Sequence, residues 1–331
     1  MFKFKNHKLH FLTVISAAYF LSIIVWLLLW LIIQDGLWWL VLINRFAFYL
    51  FAPVPVLLLL TAVFKHWRWF AALLFPAALF IWLYAPYVIP KPANDTKPDF
   101  KVLTYNVLHE NRSYDQVAQI ILSYSPDFVA LQEVRPEMMV AIQERLDEEY
   151  PHSKLGDHHD YGTTAVLSRH PLTNSYSLDL KEDRPAAVVT SEINGQPVMF
   201  ISAHLNPYGL FHWPWLERPG IVNLRTQTQN RQVEILLETI DQFDGTILLA
   251  CDCNSLETSR SMRMLQSRLQ NSSREFGWRP FANAPDNLKV DDNLRRIDYV
   301  WHNGKDLQTA GAYLLNDWGG SDHAPLLVEF V

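Results

Sequence analysis

The chain has 331 residues, half of them hydrophobic, with two cysteines and a formal net charge of −6. Two cysteines exclude a disulfide framework, so an ordinary packed core has to carry the fold. The charge is unevenly spread. Residues 1–90 hold six Lys/Arg and one Asp, leaving 22 basic and 33 acidic residues to 91–331, a net of −11, which argues against tight general binding of duplex nucleic acid, because that rests on Lys and Arg contacts to phosphate.

Three uncharged apolar runs come first, over about 11–33, 46–64 and 69–89. Each is near the roughly 20 residues a helix needs to cross a bilayer, and Trp38, Trp39, Trp67, Trp69 and Tyr84 sit at or near their ends, as interfacial aromatics do. A cleaved signal peptide is the competing reading of the first run, but its apolar part is too long and two more runs follow. Residues 1–90 are therefore expected to form a membrane anchor of three transmembrane helices. Lys3, Lys5 and Lys8 precede the first run, and Lys65 and Arg68 fall in the second loop. The first loop carries only Asp35 and Arg45. This asymmetry places the N-terminus and second loop in the cytoplasm, and three crossings then put the rest of the chain outside the cell membrane. Residues 91–99, in the stretch PKPANDTKP, are expected to be a linker, since proline there cannot continue a helix.

From residue 100 to 331 the pattern changes to short β-rich runs: KVLTYNV (101–107), DFVALQEV (127–134), TTAVLSR (163–169), AAVVTSEI (186–193), VMFISAHL (198–205), TILLACDCN (246–254), RIDYVW (296–301) and APLLVEFV (324–331). Helical spacing appears between them at 114–124, 137–149, 224–241 and 260–269. The expected fold is α/β, a four-layer α/β/β/α sandwich of two face-to-face sheets with helices outside.

Several of these strands finish in residues able to bind metal or phosphate: Asn106, Glu133, His204 with Asn206, and Asp252 with Asn254. RRIDYVW carries Asp298, and GGSDHAP places Asp322 and His323 before the last strand. Each alone reads as a turn or surface residue. Gathered at one sheet edge they suggest phosphoester hydrolysis. A hard divalent cation takes carboxylate oxygens such as Glu133, an Asp–His pair holds a charged imidazole toward phosphate, and a further carboxylate orients or deprotonates water.

In order, LTYNV, LQEV, SAHLNP, ACDCNS, RRIDYVW and SDHAPL resemble the motif set of the endonuclease/exonuclease/phosphatase superfamily over about residues 100–331. The resemblance implies Mg²⁺, with Mn²⁺ as a substitute. It implies Glu133 as the principal metal ligand, with Asn106 beside metal and phosphate and Asp322 as a second metal-side carboxylate. His204 is implied to contact phosphate, Asp252 to position water with Asn254 as its phosphate-binding partner, and Asp298 to pair with His323. The family usually has Gly-Asp-Phe-Asn where this chain has Cys251-Asp252-Cys253-Asn254. Alternation along a strand turns both thiols away from Asp252 into packing, and a fully extended strand holds them too far apart for an unstrained disulfide. Zinc or redox roles lack the further ligands they need.

The substrate is less legible. PYGLFHWPWLERPGIVN (207–223), with Trp213, reads either as a hydrophobic lip toward lipid or as a loop packing its tryptophans on the domain. Trp318, Asn206 and Arg184 are candidate substrate contacts. Arg295, Arg296 and the His-rich GDHHDYG (156–162) read more simply as surface. The expected function is a membrane-anchored, Mg²⁺-dependent phosphoesterase with lipid bilayer and lipid-linked phosphate as partners. The alternatives are an extracellular nuclease of DNA or RNA, and a non-catalytic binding module on the same scaffold.

Overall fold

A computed structural model of the chain describes residues 2–89, 97–157, 162–193, 195–207, 219–276, 296–305 and 307–331. It divides into two compact units, one built on Met1–Pro86 and the other on Tyr87–Tyr208, Arg225–Glu257 and Ser261–Val331.

The first unit contains α1 (Phe2–Ile32), α2 (Trp38–Arg45), α3 (Ala47–Leu50) and α4 (Pro53–Val63), and most of α5 (Trp67–Val88). Among the described residues two stretches are long and apolar enough to cross a membrane, His10–Ile32 and Trp67–Tyr87. The expected middle run is different. The helical segment at its place, Ala47–Val63, is bent by 74° from Trp38–Arg45, and the two pass as a candidate span only together. Pro53 occupies the first turn of α4, where its missing N–H costs nothing, so, after the short α3, α4 starts there. Its 11 residues reach only about 16 Å, roughly half a hydrocarbon core. The three expected membrane helices are thus two, with the bent pair a third only if it crosses as one broken span. Asp35, before α2, and Asn44, within it, are buried with their side chains paired at 2.8 Å, and Trp26 donates to Asn44 Oδ1 at 3.1 Å.

The second unit holds two six-stranded sheets. The first has the order β11-β12-β1-β2-β4-β3 and the second β5-β6-β7-β8-β10-β9. The strands are β1 (Phe100–Asn106), β2 (Phe128–Val134), β3 (His152–Leu155), β4 (Thr163–Ser168), β5 (Leu172–Asp179), β6 (Pro185–Ile193), β7 (Gln196–His204), β8 (Thr246–Asp252), β9 (Gln270–Asn271), β10 (Asp298–His302), β11 (Thr309–Leu314) and β12 (Leu326–Phe330). Strand–helix–strand stretches make β1/β2 and β7/β8 parallel, and the remaining pairs are antiparallel.

Period-two alternation divides the core into three clusters. Val102, Phe128, Ala130, Phe200, Leu248, Ala250 and Val300 fill the space between the sheets. Leu103, Tyr105, Val129 and Leu131 face outward onto α6 (Tyr114–Tyr124) and α7 (Pro136–Leu146). Ile201, Ile247, Leu249 and Cys251 face α8 (Pro219–Ile240) and α9 (Arg260–Gln266). These are the four layers expected. Strand β5, which sequence reading passed over, is half exposed at the edge of its sheet, and its apolar side chains Leu172, Tyr176 and Leu178 are interrupted by Asn174.

Candidate active site

The inward-facing residues at one end of the sandwich are polar. Strand pairing sets His204, Asp252 and Asp298 side by side across the second sheet. Opposite them Asn106 ends β1 in register with Gln132. Just below, Gln132 hydrogen-bonds Thr104 at 3.2 Å and Ser202 at 3.3 Å, a buried network joining the two sheets.

Glu133 breaks the alternation. Gln132 already faces inward, so Glu133 on a regular strand would face the helices. Instead it has φ +60°, and the β2–β4 pairing shifts register between Leu131 and Val134. This irregularity brings Glu133 to the same end as Asp252. A non-glycine residue held at positive φ is strained, and such strain clusters at functional sites. Gly162, φ +82°, sits directly against the Glu133 backbone.

Asn106 is almost fully buried and joins the two acids. Its amide nitrogen donates to Glu133 Oε1 at 3.1 Å and to Asp252 Oδ2 at 2.9 Å, while its oxygen accepts from the Leu108 N–H at 3.0 Å. In this arrangement Asn106 holds the two carboxylates together. His109, which sequence reading missed, binds Glu133 Oε2 through Nδ1 at 2.8 Å and through its backbone N–H at 3.2 Å. The only signal for it was a histidine three residues after Asn106.

His323 Nδ1 lies 2.8 Å from Asp298 Oδ2, and its Nε2 lies 3.9 Å from Asp252 Oδ2. His204 Nε2 is 3.5 Å from the same Asp252 oxygen and 3.9 Å from Glu133 Oε1. Arg184 Nη1 stands 2.8 and 2.9 Å from the two ring nitrogens of His204. Asn254 donates its backbone N–H to Asp252 Oδ1 at 3.0 Å and its amide to the Leu205 carbonyl at 2.9 Å, tying two strand ends together. Asn206 is held by α8: Gln232 accepts its N–H at 2.8 Å and Gln229 donates to its carbonyl at 2.9 Å. Trp318 is half-buried, and its carbonyl accepts from Tyr105 at 2.5 Å. Asp322 is exposed, and its charge supports that of the neighbouring His323. Trp213, most of the 207–223 loop, Arg295 and most of the His-rich stretch lie outside the described residues.

The electrostatics sort these groups. Burial raises Glu133, but its coupling to the His204 ring and hydrogen bonds from His109 and Asn106 outweigh it and hold the carboxyl down at about 2. Asp252 goes the other way, pushed up to about 7 by burial and by Asp298 against the opposing pull of His323 and Asn106. Burial would lower His323, yet Asp298 and Asp252 keep it protonated, well above the usual imidazole range. His204 falls well below that range because it is buried beside Arg184. The positive charge at that corner therefore belongs to Arg184.

The donor set fits a hard divalent cation. Glu133 and Asp252 present carboxylate oxygens bridged by one amide. Asp298 Oδ1 is buried without a hydrogen-bond partner among the described residues. Carboxylate oxygens of Asp252 and Asp298 lie within 4.8 Å of each other, with His323 beside them; held protonated, the imidazole has no lone pair to give a metal. Oxygen-rich sites of this kind suit Mg²⁺ or Mn²⁺.

The cysteines flanking Asp252 are paired as a disulfide, and both are fully buried in the core facing α8 and α9. The sequence argument against this pairing assumed a fully extended strand. Strand β8 ends at Asp252, Asn254 has φ +49°, and the cysteine Cα atoms are 5.1 Å apart, within the span a disulfide bridges. Their direction, away from the acids, is the one alternation predicts.

Comparison with known proteins agrees with this geometry. The sequence profile of the Endonuclease/Exonuclease/phosphatase family matches residues 103–323. A UPF0294 protein of Vibrio cholerae is 32% identical over 105 residues, which are 32% of this chain and 34% of its own length, so the match spans about a third of that relative. Among solved structures, D. rerio TDP2 complexed with single strand DNA product superposes with a TM-score of 0.57 at 17% identity, covering 70% of this chain and 98% of that one. The human Nocturnin catalytic domain with bound sulfate gives 0.54 at 18%, covering 75% and 98%. A mannosyl-6-phosphatase of Bacteroides thetaiotaomicron gives 0.52 at 16%, covering 70% and 100%. At such identities the likeness is one of fold.

Proposed function

Since the chain belongs to the endonuclease/exonuclease/phosphatase family and is a hydrolase acting on phosphoester bonds, we propose that it is a membrane-anchored, Mg²⁺-dependent enzyme cleaving a phosphate ester or pyrophosphate bond of a lipid-linked phosphate. The observation that carries this reading is the meeting of a low-pKa carboxylate, a near-neutral carboxylate, a charged imidazole and a buried arginine at one end of the sandwich.

Each residue has a task that follows from its state. Glu133, ionised at any working pH, would hold the cation. Bound there, Mg²⁺ supplies charge to the phosphoryl oxygens and the leaving oxygen. Asp252 orients the attacking water and takes its proton, a job suited to a carboxylate near neutrality. His323, kept charged by Asp298, donates to a phosphoryl oxygen where negative charge grows. Arg184 adds a second fixed cation, and neutral His204 positions it. Asn106 and His109 keep Glu133 and Asp252 from drifting apart when the site is empty of substrate.

Two long apolar helices and the acidic balance of residues 91–331 favour a lipid phosphate over a nucleic-acid polyanion. An extracytoplasmic, multi-pass placement is supported by the basic residues at the N-terminus and in the loop before α5. It requires the bent helix pair to count as a crossing. The Cys251–Cys253 disulfide suits an oxidising compartment. The test is phosphate release from polyprenyl phosphate and diphosphate by the purified full-length protein with Mg²⁺, compared with plasmid nicking. Nicking without release from lipid overturns the substrate, and a C-terminal reporter active only in the cytoplasm overturns the topology.

A further inference from the structure

Arg184 is presented by a costly piece of backbone. The three residues before it, Lys181, Glu182 and Asp183, have φ of +69°, +53° and +55°. None is glycine, and each such residue costs about 1–2 kcal/mol. The turn is fastened to α8, where Gln232 donates to the Lys181 carbonyl at 3.3 Å. On the same helix, Gln229 grips the Asn206 and Cys253 carbonyls at 2.9 and 3.0 Å. Arg225 lies one helical turn before Gln229 and so shares the face that looks onto the strand ends.

Arg225 is half-buried and makes no hydrogen bond or ion pair to another described residue. Burial lowers the Arg184 pKa; Glu133 and Asp252 support its charge, and the nearby Arg225 opposes it. Two guanidinium groups are thus held within each other's field, one of them against His204. The carboxylates near Arg184 already have partners: Asn106 bonds both Glu133 and Asp252, and His109 bonds Glu133. Like charges gathered in this way are relieved by an anion, and the planar fork of arginine suits phosphate.

We infer that Arg184 and Arg225 form a second anion subsite beside the hydrolytic centre, fitted to a substrate that carries two adjacent phosphoryl groups, a diphosphate ester. This rests on the phosphoesterase reading above and narrows its substrate. The terminal phosphorus sits at the acid–imidazole cluster and the inner phosphoryl group between the arginines. Water oxygen bonds to the terminal phosphorus and its proton passes to Asp252. The bridging P–O bond breaks, and its electron pair stays on the bridging oxygen. The products are inorganic phosphate and a monophosphate ester.

The test compares kcat/KM for a prenyl diphosphate and the matching prenyl monophosphate, using full-length protein in detergent. Wild type favours the diphosphate. Arg225→Ala lowers the diphosphate-to-monophosphate ratio about 10- to 100-fold, the loss expected for a charge-assisted contact, and Arg225→Lys falls between. Arg231→Ala, on the same helix but exposed and paired with Glu234, serves as control and leaves the ratio alone. A ratio within about twofold of wild type in Arg225→Ala overturns the subsite. Calorimetry with methylenediphosphonate and inorganic phosphate in metal-free buffer separates the two claims. Tighter, Arg225-dependent diphosphonate binding with no turnover of either lipid removes the hydrolase reading and keeps the subsite. Equal affinities for the two anions remove the subsite. Arg225-dependent cleavage of an oligonucleotide without a diphosphate preference reassigns it to a neighbouring phosphodiester and overturns the diphosphate assignment.

Discussion

Gly162→Ala tests whether the strained placement of Glu133 matters to the chemistry. A Cβ built on Gly162 lies 2.7 Å from the Glu133 carbonyl carbon, 2.8 Å from its oxygen and 3.1 Å from its Cα. Carbon–carbon contacts settle at about 3.5 Å or beyond, so the two backbones must part by roughly 0.7 Å. The neighbour is main chain and cannot swing aside like a side chain. Positive φ at residue 162 adds about 1–2 kcal/mol for any residue with a Cβ. The domain should lose about 2–3 kcal/mol, or roughly 5–10 °C of Tm for its size. A shift approaching 1 Å at a catalytic group costs on the order of 100-fold in rate, so kcat/KM should fall about 10- to 100-fold with weaker Mg²⁺ dependence. Gly195→Ala is the control: φ is +76°, but nothing lies within 4 Å of the added methyl, so it meets the backbone cost without the displacement. Wild-type turnover and wild-type metal response in Gly162→Ala, together with a lowered Tm, would refute the view that the Glu133 backbone is held in place for catalysis.

Glu133→Gln should abolish Mg²⁺-dependent turnover by at least about 100-fold and weaken Mn²⁺ binding followed by calorimetry; chelation of divalent ions should silence wild type reversibly. Glu133 also has a folded pKa of about 2, below its ordinary value of 4.5. Its contribution to stability is present above about 4.5 and lost as pH falls toward 2, and urea unfolding of the Gln variant should lack that acid limb. Because Asp252 must be ionised to accept a proton and sits at about 7, kcat/KM should rise with pH and level off above that value. Asp298→Asn removes a charge that raises Asp252, so the rising limb should move to lower pH while the maximum rate falls, as initial rates across a buffer series will show. Peptide mapping without reductant should find Cys251 and Cys253 in one fragment lighter by two hydrogen atoms, and an unchanged mass would remove the bridge from the argument about compartment.

Much of this protein could be read from its residues alone. Apolar runs of bilayer length gave α1 and α5, and period-two alternation with polar strand ends gave the two-sheet, four-layer fold. Asp252, Asp298 and His204 lie on regular strands, where side-chain direction follows from position and pairing puts neighbours in one row. What alternation could not supply was decided in three dimensions. Glu133 reaches the site through a positive φ and a register shift, not through its place in the strand. The middle apolar run folds as Ala47–Val63, bent by 74° from Trp38–Arg45, because hydropathy counts residues while the helix axis depends on the backbone between them. The Cys251–Cys253 pair closes because the backbone brings their Cα atoms to 5.1 Å, a distance that residue spacing alone does not give. Arg184 and Arg225 come from segments some 40 residues apart, and each feels the other's charge only in the folded chain. Local pattern fixes what a residue can do and which face it takes on a regular element. Which distant charges share a low-dielectric pocket is set by packing, and packing also sets their pKa values and hence their chemistry.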